Sequence, residues 1–352
     1  MMRMQKVFGF FPFPTWQMDL DAVLGQQSYK EDDFYKAGAD EKESFIETKV
    51  SLSYWQDAWR RLRNNRVAMV SLIIVILLVL FAFVGPLFYD YDYTTQVRGD
   101  ENIDPSWQYP FGTDNLGRDL FVRTMFGTRI SLVIGITASL IVLVIGSAYG
   151  AISGYFGGRV DDIMMRFVEL IYSIPDILVV LLLSTALKPA LTEWFNTSDS
   201  AIAEALSVLG PSLIAIFIAF GLLYWVGMAR IIRGQVLMLK EQEYVTAAKA
   251  LGASSFRVIK RHILPNCIGQ IIVTTCLQIP AAIFLESFLS FLSVGVSAPL
   301  TSLGSMSSDA LGGMYTYTYR LMIPAAILSL LILSLNLFGD GLRDALDPRL
   351  KK

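Results

Sequence analysis

Six apolar runs, at residues 67–88, about 130–152, about 163–187, about 211–229, about 266–285 and 321–338, decide most of what this chain can become. A helix needs about 20 apolar residues to cross a hydrocarbon core of about 30 Å, and the runs have that length. Backbone in lipid must bond to itself, so the runs predict six transmembrane helices and an all-α polytopic membrane protein. Charge is scarce, at 17% of residues, against about 25% in an ordinary soluble domain. It collects between the runs.

An even number of crossings returns both ends to one side, and the Lys and Arg bias says which. Arg60, Arg61, Arg63 and Arg66 stand before the first run, on an amphipathic stretch that begins at Trp55. Seven bases (Arg230, Arg233, Lys240, Lys249, Arg257, Lys260, Arg261) lie between the fourth and fifth runs against two acids, Glu241 and Glu243. The first outer loop, up to Arg123, reverses this, with three arginines against seven acids. Both termini and the segment at 243–265 are therefore expected in the cytoplasm. Loops at 89–129, 188–210 and about 290–320 are expected outside. The first 16 residues do not read as a signal peptide, because Pro12 and Pro14 break a short apolar stretch with no small-residue cleavage site.

The cytoplasmic segment, EYVTAAKALGASSFRVIKRHILPN at 243–266, is built as an elbow. Tyr244, Val245, Ala248 and Leu251 fall on one helical face, outside which lies Lys249. Ala247 and Ala248 are small enough for another surface to approach. Gly252 suits the left-handed residue that ends a helix, followed by Ala253. Ser254 or Ser255 can cap a second helix carrying Phe256, Ile259 and Ile263, which Leu264 and Pro265 are expected to end.

This pattern resembles the EAA motif of binding-protein-dependent ABC importers: a small pair (Ala247, Ala248), a glycine (Gly252) and a closing Leu264-Pro265. Thr246 occupies the motif's glutamate position, and Glu243, one turn earlier, offers a carboxylate instead. The segments at 110–119, 154–166, 285–296 and 339–350 are also similar to the C-type permease of oligopeptide and dipeptide importers. The resemblance implies the type I importer transmembrane fold in a bacterial cell membrane. It implies a homologous B-type permease beside the chain, two ABC ATPase subunits below, and an extracytoplasmic peptide-binding protein above. The coupling residues it points to are Glu243, Tyr244, Thr246, Ala247, Ala248, Gly252, Ala253, Phe256, Leu264 and Pro265.

The organisation expected on this basis is a polar cytoplasmic tail over 1–54, then an amphipathic segment, first span and outer loop over 55–129. A permease core follows over 130–342, with coupling helices at 241–265, and a cytoplasmic tail over 343–352.

No chemistry of its own is visible. The chain has no Gly-Lys dipeptide and so no phosphate-binding loop; the resemblance implies that ATP and Mg are held by the partner ATPases. One histidine, His262, and no Cys-x-x-Cys leave no familiar metal or triad constellation. Cys267 and Cys276 lie about 13 Å apart along one helix, beyond disulfide reach. A net charge of −2 without a basic stripe argues against nucleic acid. Polar residues at membrane depth usually face protein or water, which marks Asp176, Glu286 and Asn336 as path or gate candidates. Arg166 and Glu169 read as packing or snorkelling groups opening the third span. Gly339 and Gly341 are expected to end the sixth. Two other readings compete: a permease of the same family for dipeptides, nickel or another small solute, and a channel or scaffold that needs no ATPase.

Overall fold

The computed structural model describes residues 53–89 and 92–347, and among these the chain is helical, with no strand. The expected tail over 1–54 lies almost wholly outside the described residues. α1 (Tyr54–Asn64) is the amphipathic stretch, burying Ala58 and Leu62 while Trp55 and Trp59 stay exposed. Among the described residues, six helices are long and apolar enough to cross a membrane. They are α2 (Arg66–Phe83), α3 (Leu120–Phe156), α5 (Asp176–Thr197), α7 (Gly210–Leu239), α9 (Ser255–Phe291) and α11 (Tyr319–Leu346). Between them lie α4 (Gly158–Tyr172), α6 (Ala201–Ser207), α8 (Glu243–Ala250) and α10 (Leu303–Asp309).

Several boundaries depart from the apolar runs. α3 begins ten residues before the second run, because Asp119 caps it by accepting the Phe121 amide at 2.7 Å. The third run is two helices: α4 carries Arg166 and Glu169, and a break at Ser173–Pro175 precedes α5. Proline bars its predecessor from the helical region, which is why the break falls there. Pro265 does not end a helix. It sits in the first positions of a 3-10 turn over Leu264–Cys267, where its missing N–H costs nothing, and α9 runs on through it. Gly339 and Gly341 lie inside α11, and side chains there would collide with Leu277 and Ala68. They are packing sites for neighbouring helices.

The α3–α7 pair holds the bundle together. Gly146, Gly150 and Gly154 line one stripe of α3, and the backbone of α7 lies against it. A β-carbon at Gly146 would come within 2.6 Å of Met228 Cβ, one at Gly154 within 2.9 Å of the Arg233 carbonyl, and one at Gly150 would strike the Ala229 carbonyl. Helices in lipid gain little from apolar burial, so such close approach is the main source of their association. At one end Asp161 of α4 accepts Arg233 Nε at 2.6 Å and the Ser153 hydroxyl, tying α3, α4 and α7 together.

At the opposite end Asp114 gathers the first loop. It accepts the amides of Leu116 (2.8 Å) and Arg118 (3.0 Å) and pairs with Arg118 and Arg123. Burial pushes its carboxyl up, but the Arg123 charge and those two amides more than offset this, and its pKa lies below the ordinary range. Arg123 also reaches Thr301 and Asp309 at 3.3 Å, joining this loop to α10.

Candidate functional site

α8 leaves α7 after a short turn at 240–242 and ends in a Schellman motif. Gly252 has φ +83°, its amide donates to Lys249 O at 2.9 Å, and the Ala253 amide donates to Ala248 O at 3.0 Å. Ser254 occupies the cap position of the next helix without a side-chain cap bond. α9 then starts with one α-turn, a π-type segment (Ile259–Ile263) and the 3-10 turn, and only then becomes the fifth span.

Rooting and exposure divide the elbow's side chains. Val245, Val258 and Ile263 are fully buried in the same core cluster as Val236, Ile232 and Cys267 of the spans. Burying an aliphatic side chain is worth about 1.5–3 kcal/mol, so three of them make the elbow and the spans one body. Lys249 lies 5.2 Å from the Tyr155 ring of α3, and Asn266 donates to the Tyr244 hydroxyl at 3.3 Å. By contrast Leu251 is 89% and Phe256 73% exposed. Glu243, Tyr244, Thr246, Ala247 and Pro265 are also exposed, while Ala248, Ala253 and Leu264 are partly covered. The expected stripe of Phe256, Ile259 and Ile263 is thus split: Ile263 is core and Phe256 points out, beside a cavity of about 420 Å³ lined by Arg257, Lys260, Arg261 and Pro265. Thr246 turns its hydroxyl back to Gln242 O at 3.4 Å.

The three polar residues at membrane depth have separate fates. Glu286 is fully buried and accepts hydroxyls from Ser131 (3.1 Å), Ser287 (3.2 Å) and Ser290 (2.7 Å). It bonds α9 to α3. Asn336, partly buried, donates to Ile332 O at 3.0 Å, a turn back on its own helix. Asp176 is exposed and accepts the Tyr224 hydroxyl at 3.0 Å. The sequence reading missed the glycine stripe at 146, 150 and 154, although its four-residue spacing was in plain view. Pro175 is expected to permit a kink, and the structure goes further, breaking the helix at Ser173-Ile174-Pro175 before Asp176.

These features define a polytopic helical membrane protein with a rigid, apolar-tipped elbow fixed to its spans. Comparison with known proteins narrows that class. Residues 146–352 match the family described as binding-protein-dependent transport system inner membrane component. Residues 53–105 match the N-terminal TM domain of oligopeptide transport permease C. The chain is 46% identical over 305 residues to the oligopeptide transport system permease protein OppC of Bacillus subtilis, covering 87% of this chain and 93% of that one. It is 44% identical over 331 residues to the dipeptide transport system permease protein DppC of the same organism, covering 94% and 93%. To OppC of Haemophilus influenzae it is 41% identical over 299 residues, covering 84% and 89%. The chain belongs to the binding-protein-dependent transport system inner membrane components, and is a permease subunit of an ABC importer.

Proposed function

We propose that this permease carries peptides, oligopeptides first, and that its elbow at 243–265 receives the ATPase stroke. A homologous B-type permease completes the path, two ABC ATPase subunits hold ATP and Mg, and an extracytoplasmic binding protein delivers the peptide. Both termini and the elbow face the cytoplasm in this reading. The observation that carries it is the split of the elbow into buried roots (Val245, Val258, Ile263) and bare apolar tips (Leu251, Phe256). Exposed apolar side chains amid bases suit insertion into a protein groove. The proposed contact set is Glu243, Tyr244, Thr246, Ala247, Ala248, Gly252, Ala253, Phe256, Leu264 and Pro265, and the exposure of Leu251 supports including it. The names of the relatives support the substrate class.

Closure of the ATPases on ATP would move the tips. Because the roots lie in the α3–α7–α9 core, the spans would follow. Uptake of a labelled peptide into proteoliposomes holding the permease pair, both ATPases and the binding protein tests this. Uptake is expected only with ATP. Uphill uptake without ATPase subunits would refute the coupling, and failure to move any peptide would refute the substrate class.

A further inference from the structure

A break separates α4 from the third crossing, α5. α4 climbs along α3 and α7: Tyr149 of α3 donates to Met164 O at 2.9 Å, and Val168 packs against Trp225. It stops at Tyr172, and α5 starts at Asp176. Asp176 meets Tyr224, which lies 14 residues from one end of α7 and 15 from the other. At 1.5 Å per residue this is about 21–23 Å from each end, the middle of α7.

Three irregularities coincide at that depth. Ser173, Ile174 and Pro175 between the two helices are exposed, and so is Asp176. α7 carries a π-type turn over Phe220–Tyr224, a device that re-aims side chains and is common at functional sites. Tyr172, Ser173, Asp176, Tyr224, Gly227 and Gln278 line a cavity of about 580 Å³. Non-helical backbone at membrane depth survives only against protein or water. An aspartate at mid-depth costs about 2.5–3.5 kcal/mol against lipid. Both costs favour protein or water over lipid beside this cavity. A second cavity of about 570 Å³ is lined by Asp162, Arg166, Glu169, Arg230 and Arg233, and its Arg230 stacks at 4.3 Å on Tyr172, which lines the first.

We infer that Asp176, oriented by the Tyr224 hydroxyl, is a substrate-contacting site on the path that takes the cationic side chain of a passing peptide. The inference rests on the peptide-importer reading and deepens it. Among the described residues, Asp176 is the sole carboxylate lining this cavity. Its Oδ2 bonds the tyrosine and its Oδ1 the Ile177 amide, which fixes the carboxylate while leaving lone pairs free for a cation. A charge-assisted bond here selects cationic over anionic side chains in transit.

The test uses the complete importer in proteoliposomes, with three peptides of one length that differ at one central residue: lysine, serine or glutamate. All keep a free N-terminus, and only peptides that the binding protein holds equally are compared. Asp176→Asn is expected to lower the maximal rate for the lysine peptide about tenfold, the scale of one charge-assisted bond, and to leave the glutamate peptide within about twofold. Asp176→Glu, which keeps the charge, restores the preference. Equal loss for all three peptides would mean a structural contact, such as one with the second permease, and would overturn the inference. So would equal rates without loss. A wild-type importer that moves none of the three overturns the peptide reading and the inference together, whereas indifference to Asp176→Asn overturns the inference alone.

Discussion

Replacing Gly150 with valine is expected to remove the permease from the membrane. The α3–α7 contact has no room for a side chain there: a β-carbon would enter the Ala229 carbonyl and lie 3.0 Å from the Arg233 amide. Both are backbone atoms of a helix and cannot swing aside. Overpacking a core by a few atoms costs about 1–3 kcal/mol and sometimes more. Here relief requires parting the helices along the whole Gly146–Gly154 stripe, which also strains the Asp161–Arg233 tie. Against a total stability of about 5–15 kcal/mol, that loss is large. Gly234→Ala serves as the control, since nothing lies within 4 Å of its missing β-carbon although it sits on the same partner helix. Immunoblots of membranes should show Gly150→Val depleted severalfold and Gly234→Ala at the wild-type level. Equal amounts would refute the close-packing account.

Gly252→Val is expected to leave the permease in the membrane and uncouple it. At φ +83° with no atom within 4 Å, the position lacks a steric neighbour but forbids a β-branched residue on backbone grounds. The left-handed conformation costs an L-residue about 1–2 kcal/mol. The turn would open, and with it the two bonds that set the angle between α8 and α9. A loss of about tenfold in uptake corresponds to about 1.4 kcal/mol of misplacement, with ATP hydrolysis continuing. Gly252→Asn, which tolerates that conformation, should keep most of the uptake. Valine and asparagine variants of equal activity would show that the turn geometry is irrelevant.

Periodicity and hydropathy made the six crossings and the two-part elbow readable, because each depends on local residue order. Gly252 also announced its turn. Where crossings break or bend depended on contacts far apart in sequence. Pro265 looks like a stop signal, yet a 3-10 turn accommodates it. Gly339 and Gly341 look like a terminus, but Leu277 and Ala68 press on them. Glu286 and Asp176 read alike as carboxylates in apolar runs. Only packing separates them: serine hydroxyls from α3 and α9 surround the first, and the second stands on a cavity wall. The split between Phe256 and Ile263 arises from the π-type segment, which shifts the helical face by part of a turn.

The account stands or falls on which side of the membrane the elbow occupies and what covers it. Leu251→Cys, in a chain whose Cys267 and Cys276 are serine, can be treated with a membrane-impermeant thiol reagent in right-side-out and inverted vesicles. Labelling only in inverted vesicles, suppressed when the ATPase subunits are bound, is the predicted result. Labelling from the outer side, or labelling indifferent to the ATPase subunits, would contradict it.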